Sequence, residues 1–155
     1  MLKNKFLSFS LFVLITFSAS FIGTFVTIYF KEPWYSILNK PVFNPPDWVF
    51  GPVWTILYLM MTISIWLYWH SENKERNTVY IYFMHLVFNT TWSITFFVFH
   101  NMLLALVVLI ILIAFIINLI LSFRRVKKVS SYLMIPYLLW CCFALILNSS
   151  LIILN

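Results

Sequence analysis

Five long apolar stretches, separated by short polar connections, dominate the chain. A helix needs about 20 apolar residues to cross a bilayer, and each stretch is long enough to do so. The pattern predicts transmembrane helices over residues 6–30, 47–69, 79–99, 102–123 and 132–154. The sequence lacks the alternating ten-residue strands of an outer-membrane barrel. The expected fold is an all-α integral membrane protein, a single domain over residues 1–155 built as a five-helix bundle.

The first connection, from Lys31 to Asp47, is the longest and is rich in proline. It contains Pro33, Pro41, Pro45 and Pro46. Each proline fixes its own φ angle, so this spacing predicts a stiff extramembrane cover rather than a flexible linker. Pro136 lies inside the fifth apolar stretch, where it predicts either a kinked helix or a later start of that helix.

The first apolar stretch has features of a signal peptide, because Lys3 and Lys5 precede an apolar run that contains the small triplet Ser18-Ala19-Ser20. We expect the segment to be retained, since the apolar run continues to Phe30, beyond any cleavage point near that triplet. Ala19 and Gly23 have the spacing of small residues that lets helices approach closely. This spacing favours close packing either within the bundle or between two protomers.

Charged residues make up 9% of the chain, against about 25% in soluble proteins. Lysine and arginine concentrate in the cytoplasmic connections of membrane proteins. The amino-terminal side of the spans holds Lys3, Lys5, Lys74, Arg76, Arg124, Arg125, Lys127 and Lys128, and the other side holds Lys31 and Lys40. We therefore expect the amino terminus inside and the carboxyl terminus outside a bacterial cell membrane. The net charge of +6 then reflects topology, and nucleic acid is not an expected partner.

Few chemically active groups lie within the predicted spans. Ion-coupled transporters need ionisable groups inside the membrane, and here the acid nearest to a span is Asp47, at the edge of the second stretch. His85 is deeply immersed by itself, which is typical of a hydrogen-bonded packing residue rather than a haem ligand. The sequence has no Cys-x-x-Cys, glycine-rich phosphate loop or Gly-x-Ser-x-Gly motif. Pumps, conventional enzymes and metal sites are disfavoured, and no cofactor is expected to be required.

Three predicted helices carry stripes of aromatic residues with uncharged polar groups at helical spacing. The stripes are Trp54, Tyr58, Met61 and Ile65; His85, Asn89, Trp92, Phe96 and Phe99; and Tyr137, Trp140, Ala144, Asn148 and Leu151. The helical rise of 1.5 Å per residue places their aromatic and asparagine residues at similar depths below the first connection. Headgroup belts lie at the ends of spans, whereas Trp140 and Tyr58 lie deeper. The stripes predict a cavity for a flat, largely apolar molecule, with plain packing as the alternative.

Three motifs of this sequence resemble those of the TspO/MBR family, the translocator proteins or tryptophan-rich sensory proteins. The motifs are WYSILNKPVFNPPDWVFGPVWTILY over 34–58, FNTTWSITFF over 88–97 and PYLLWCCFALILN over 136–148, and the resemblance covers nearly the whole chain. It implies a bacterial five-helix membrane protein, often a homodimer. It also implies binding of porphyrins such as protoporphyrin IX and of synthetic benzodiazepine-type ligands.

The same resemblance implies the residues of a ligand-binding pocket. They are Tyr35 and Pro45 in the cover, with Trp54, Asn89, Trp92, Trp140 and Ala144 in the spans; the depth estimate adds Tyr58 and Asn148. Lys31 or Lys40 is expected to meet the carboxylates of a porphyrin. Thr90 stands where many relatives have a second tryptophan.

The resemblance leaves three functions open. The first is binding of a porphyrin as ligand, with no metal site in the protein. The second is photo-oxidative porphyrin breakdown, which some bacterial relatives are proposed to perform, with Trp54 and Trp140 as its catalytic residues. The third is a ligand-regulated transporter or a stress-sensing interaction protein for tetrapyrroles or lipids.

Overall fold

The structure, a computed structural model, describes residues 4–155. Lys3, one of the basic residues used to predict orientation, lies outside the described residues. The helices are α1 (Lys5–Phe30), α2 (Trp34–Ile37), α3 (Asp47–Trp69), α4 (Arg76–Ser93), α5 (Met102–Val126) and α6 (Lys128–Leu154). All but the single turn α2 are long and apolar enough to cross a membrane, α4 when it is taken together with the following residues to Val98. The all-α architecture with five spans is confirmed.

Three of the spans extend by three or four residues beyond the apolar stretches that predicted them, and α1 begins one residue earlier, at Lys5. Helix α4 begins at Arg76 rather than at residue 79, α5 continues to Val126 rather than ending at 123, and α6 begins at Lys128 rather than at 132. The added turns contain lysine and arginine, which form helix readily. The apolar pattern therefore marks the part of each helix suited to the bilayer rather than the whole helix. Pro136 lies inside α6, so the prediction of a later helix start is wrong.

Side-chain caps define the start of two helices. The Asn4 side chain accepts hydrogen bonds from the backbone N–H groups of Phe6 and Leu7, at 3.0 and 3.2 Å, at the start of α1. Asn101 caps α5 in the same way and accepts from the N–H of Leu104 at 2.9 Å. Such caps satisfy N–H groups that have no partner within the helix.

Helix α4 ends in a π-helical turn, Ile94–Val98, which the sequence pattern did not predict. The N–H of Phe99 donates to the first carbonyl of this turn, at 3.1 Å. The Thr95 hydroxyl lies 3.0 Å from the carbonyl oxygens of both Thr91 and Trp92. Since a wide turn disturbs the regular backbone ladder, this hydroxyl provides hydrogen bonding for carbonyls of the preceding turn.

The π-helical turn changes which phenylalanines face the interior. Phe99, predicted on the same stripe as Phe96, is 63% exposed, whereas Phe97 is buried. A π turn holds an extra residue, so the residues after it leave the 3.6-residue spacing that the prediction assumed. His100 follows with a positive φ of 50° and reverses the chain into α5.

The spans form a closed ring in the order α1, α3, α6, α5, α4. At the end away from the first connection the interior is closely filled by large side chains, including Met61, Ile65, Tyr68, Phe123 and Met134, all completely buried. The outer surface is apolar, as lipid contact requires; Phe21 and Trp48 are more than two-thirds exposed.

Hydrogen bonds join the helices within the packed end. The Thr16 and Tyr82 hydroxyls lie 2.8 Å apart and connect α1 to α4. The Ser64 hydroxyl donates to the Ser130 carbonyl at 2.7 Å and connects α3 to α6. His85 is completely buried, and its Nδ1 donates to the Tyr82 carbonyl. This is the position expected of a packing histidine.

Candidate functional site: a cavity under the first connection

A cavity of about 480 Å³ lies between the first connection and four of the spans. Helices α1, α3, α4 and α6 line it, and no residue of α5 does. We call residues 31–46, which cover it, the lid. The volume lies within the range of small-molecule sites, about 300–1,000 Å³.

The structure brings together every predicted ligand-binding residue except Pro45. The cavity is lined by Tyr35, Trp54, Tyr58, Asn89, Trp92, Trp140, Ala144 and Asn148. Pro45 lies in the lid but not on the cavity wall, and its carbonyl accepts a hydrogen bond from the Asn44 side chain at 3.1 Å. The proline spacing predicted a stiff cover but did not indicate which of its residues line the cavity.

Three tryptophans form much of the aromatic surface. The Trp54 ring packs against Tyr58, with centroids 5.6 Å apart. Trp92 stacks on Phe96 at 5.3 Å, and Trp140 meets Phe50 edge to face at 6.0 Å. Each tryptophan is supported by another ring and lines the cavity. The walls therefore present supported π faces, which suit a flat aromatic ligand.

Asn89 joins three helices at the cavity wall. Its Oδ1 accepts a hydrogen bond from the Tyr58 hydroxyl, and its Nδ2 donates to the Tyr137 hydroxyl at 2.9 Å. All three side chains are buried. Asn89 and Tyr58, predicted as separate ligand contacts, are bonded to each other, so part of the hydrogen-bonding capacity of the Asn89 amide is already used within the protein.

An ion pair lies on the cavity wall where the lid begins, and we call this place the mouth. Lys31 lines the cavity, and its Nζ donates to the Asp47 carboxylate and lies 3.8 Å from Glu32 Oε1. Lys40, the other predicted cation, does not line the cavity; its Nζ lies 4.7 Å from the ring centroid of Tyr35. Of the two lysines, Lys31 is therefore the one that lines the cavity.

Tyr35 anchors the lid from below. It is buried, and its hydroxyl donates to Asn44 Oδ1 at 2.9 Å. Burial raises the pKa of the Tyr35 phenol, and the negative charge of Asp47 raises this pKa further. The phenol is thus held in its neutral, hydrogen-bonding form.

The lid is also attached to the end of α6. The Asn155 side chain accepts from the Asn39 N–H at 2.9 Å and donates to the Asn39 carbonyl at 3.1 Å. The Asn39 side chain donates to the Leu154 carbonyl at 3.2 Å. This reciprocal pairing fixes the middle of the lid over the bundle.

The α1 wall of the cavity was not predicted. It contains the small and polar residues Ser20, Gly23, Thr24 and Thr27, which recur at helical spacing, together with Ile28. The spacing of Ala19 and Gly23 indicated close helix approach, and an ideal Cβ at Gly23 would lie 3.4 Å from Ser93 Oγ. The small residues therefore act within the bundle, where they both admit α4 and leave open space.

Among residues 4–155, no group of three or more His, Cys, Asp or Glu side chains is arranged to hold a metal ion. The chemical groups that the cavity presents are aromatic faces, amides, hydroxyls and the ion pair at its mouth.

Comparisons with known proteins point in one direction. The model of the TspO/MBR family matches residues 12–154. Tryptophan-rich protein TspO of Chlorobaculum tepidum is 35% identical over 161 aligned positions, covering 99% of each chain. Tryptophan-rich protein TspO of Archaeoglobus fulgidus is 36% identical over 92% of this chain and 94% of its own length. The human translocator protein is 33% identical over 74% of this chain and 70% of its own length.

Proposed function

The chain belongs to the TspO/MBR family of membrane proteins, and we propose that its cavity binds a porphyrin. The observation that carries the proposal is the set of tryptophans, Trp54, Trp92 and Trp140, around one cavity beneath the lid. A macrocycle offers two large π faces, and offset or edge contacts with indole rings stabilise such a ligand. Protoporphyrin IX is the first ligand to test, and benzodiazepine-type ligands are the second class.

Lys31 is the residue that we assign to the porphyrin carboxylates. It already donates to Asp47 at the mouth, so a ligand carboxylate competes with this partner for a charge-assisted hydrogen bond. Binding then weakens the ion pair that connects the beginning of the lid to α3.

Titration of purified protein in detergent with protoporphyrin IX tests the proposal. The Soret absorption band reports binding. Trp140→Phe replaces one large ring of the cavity wall by a smaller ring and introduces no charge. We expect clearly weaker binding by Trp140→Phe and unchanged binding by Trp48→Phe, because Trp48 is 74% exposed and does not line the cavity. Equally weak binding by the wild type and both variants would refute the proposal.

Light-dependent breakdown of the porphyrin is a second candidate function. It is favoured by the position of Trp54, whose ring lies 5.6 Å from Tyr58 and 6.1 Å from Tyr137, so oxidisable rings adjoin the cavity. In this reaction the illuminated porphyrin and dioxygen supply the oxidant, and Trp54 and Trp140, which line the cavity, are the residues that we assign to the reaction. The loss of porphyrin absorbance under illumination should be slower in Trp54→Phe than in the wild type. A wild-type rate equal to that of free porphyrin in detergent would exclude the reaction.

We propose that the lid lies on the outer side of the cell membrane, as the distribution of basic residues favours. A cysteine introduced at Ser36, an exposed lid residue, should react with a membrane-impermeant maleimide in intact cells. A cysteine at Arg125, at the opposite end of the bundle, should react only after permeabilisation. The reverse pattern would invert the topology.

A further inference from the structure

Two stretches of chain at the end of the bundle opposite the lid differ in charge. The stretch between α3 and α4 is balanced, with two acidic and two basic residues, Glu72, Lys74, Glu75 and Arg76. The stretch where α5 meets α6 has four basic residues and no acid, namely Arg124, Arg125, Lys127 and Lys128. We call these four residues the basic junction. Because five consecutive residues span at most about 15 Å, their charges are concentrated in a small area.

The basic junction has no counterion within the part of the chain that the structure describes. All four of its residues are exposed. Among residues 4–155, the ion pairs that the structure forms both involve Lys31, at the lid end of the bundle. Like charges held close together repel one another. The positive charge of the junction is therefore available to an external anion.

Helix electrostatics account for only half of the basic junction. Arg124 and Arg125 lie in the last turn of α5, where cations suit the negative end of the helix dipole. Lys127 and Lys128 form the start of α6, where the dipole favours acids over cations. The first turn of α6 has no acidic residue, and its N-cap makes no side-chain hydrogen bond. The two lysines are thus unfavourable for the helix itself, and an anion near them would offset the repulsion.

Next to the basic junction, toward the middle of the bundle, both helices present exposed aromatic and apolar side chains. On α6 these residues follow Lys128 at helical spacing and are Tyr132, Ile135 and Leu139. On α5 they precede Arg125 at helical spacing and are Ile117 and Leu121. The two helices are neighbours in the ring. This surface therefore combines a cationic end with apolar faces at the depth of acyl chains.

We propose that the basic junction binds the headgroup of an anionic phospholipid, whose acyl chains lie along the exposed faces of α5 and α6. A phosphodiester accepts charge-assisted hydrogen bonds from guanidinium and ammonium groups, and clusters of basic residues at the ends of spans attract anionic lipids. A zwitterionic lipid carries its own cation, which the junction repels. The site is at the opposite end of the bundle from the cavity, so the inference does not depend on the proposed function.

Two phospholipids with identical chains test the preference. Dioleoyl phosphatidylglycerol has a net negative headgroup, and dioleoyl phosphatidylcholine has the same phosphate with an added cation. The purified protein in a neutral detergent is titrated with each lipid, and native mass spectrometry gives the dissociation constant of the first lipid bound. We expect phosphatidylglycerol to bind at least tenfold more tightly than phosphatidylcholine.

Two double variants with equal changes of charge assign the preference to the junction. In Lys127→Gln/Lys128→Gln the ratio of the two affinities should fall at least fivefold, because one basic residue near an anionic lipid contributes about a factor of five. In Lys74→Gln/Arg76→Gln, which removes two positive charges from the balanced stretch at the same end, the ratio should stay as in the wild type. The unfolding midpoint of Lys127→Gln/Lys128→Gln without added lipid should not fall, since these lysines oppose the helix dipole.

The chain-free headgroup distinguishes a lipid from a soluble anion. Glycerophosphoglycerol, which is phosphatidylglycerol without its acyl chains, should bind at least a hundredfold more weakly than the lipid, because it cannot use the apolar faces of α5 and α6. Equal affinity of the two would replace the lipid by a soluble phosphate ester. A wild-type ratio near one, a ratio that survives in Lys127→Gln/Lys128→Gln, or an equal loss in both double variants would each overturn a lipid site at the basic junction.

Discussion

The two halves of α1 face the same bundle with opposite results. In the half distant from the lid, Phe9 and Phe12 pack edge to face against Trp66 and Trp69, with ring centroids 5.5 and 6.0 Å apart. In the half below the lid, Gly23 and the hydroxyl residues near it border the cavity. One continuous helix thus fills one end of the bundle and leaves the other open. The difference shows that the volume of the inward-facing side chains on α1 determines where space remains for a ligand.

We expect Phe12→Ala, in the closed half, to cause the largest loss of stability. Phe12 is 3% exposed, and replacing a buried phenylalanine by alanine costs about 3–5 kcal/mol. We expect a loss of this order in the free energy of unfolding, measured by denaturant titration in detergent. Leu14→Ala, on the exposed face of the same helix, should change it by less than about 0.5 kcal/mol. Similar losses for both variants would mean that the closed half is not a packed core.

Thr24→Phe should fill the cavity in the open half. The variant gives α1 a large side chain there, like those it has in the closed half. A phenyl ring in the cavity excludes a porphyrin, so we expect binding at least tenfold weaker, or about 1.4 kcal/mol, with little change in the unfolding midpoint. Ile22→Phe on the exposed face is the matched control. Retention of wild-type affinity by Thr24→Phe would move the binding site away from α1.

Tyr58→Phe tests the boundary between the closed and the open half of the bundle. This variant removes the hydroxyl that donates to Asn89, and interhelical hydrogen bonds in membranes are worth about 0.6 kcal/mol, at most about 1.7. We expect a loss in the free energy of unfolding within this range. Tyr80→Phe, with an exposed ring, should cause none. A loss several times larger would show that Asn89 organises the packed half as well as the cavity.

The smallest effect concerns the lid alone. The pKa of Tyr35 lies above the ordinary value of 10 because of burial and Asp47, so the closed lid keeps its proton at a pH where an exposed phenol loses it. The stability of the closed lid is complete below about pH 10 and decreases as the pH rises above that value. Ligand dissociation should therefore accelerate more steeply above pH 10 in the wild type than in Tyr35→Phe. Identical pH profiles of dissociation in the wild type and in Tyr35→Phe would show that Tyr35 does not control the lid.

The sequence predicts the spans and most of the cavity for simple physical reasons. A bilayer imposes a minimum apolar length, and helical spacing places Trp54, Asn89 and Trp140 on inward faces. The α1 wall was missed because small residues are equally consistent with close helix packing. The π-helical turn was missed because the apolar pattern does not indicate the bond from the Phe99 N–H to the Ile94 carbonyl or the contacts of the Thr95 hydroxyl that accompany it. The absence of Pro45 from the cavity wall was not foreseen because proline spacing does not indicate which lid residues line a cavity.

The π-helical turn Ile94–Val98 also suggests how such a pocket diversifies during evolution. Successive residues of an α-helix are rotated by about 100°. Deleting one residue within the turn would restore α-helical spacing. The residues that follow would then rotate relative to α4, and a different side chain would take the inward position of Phe97. A single-codon insertion or deletion at this turn would therefore remodel the cavity wall while every neighbouring side chain kept its identity.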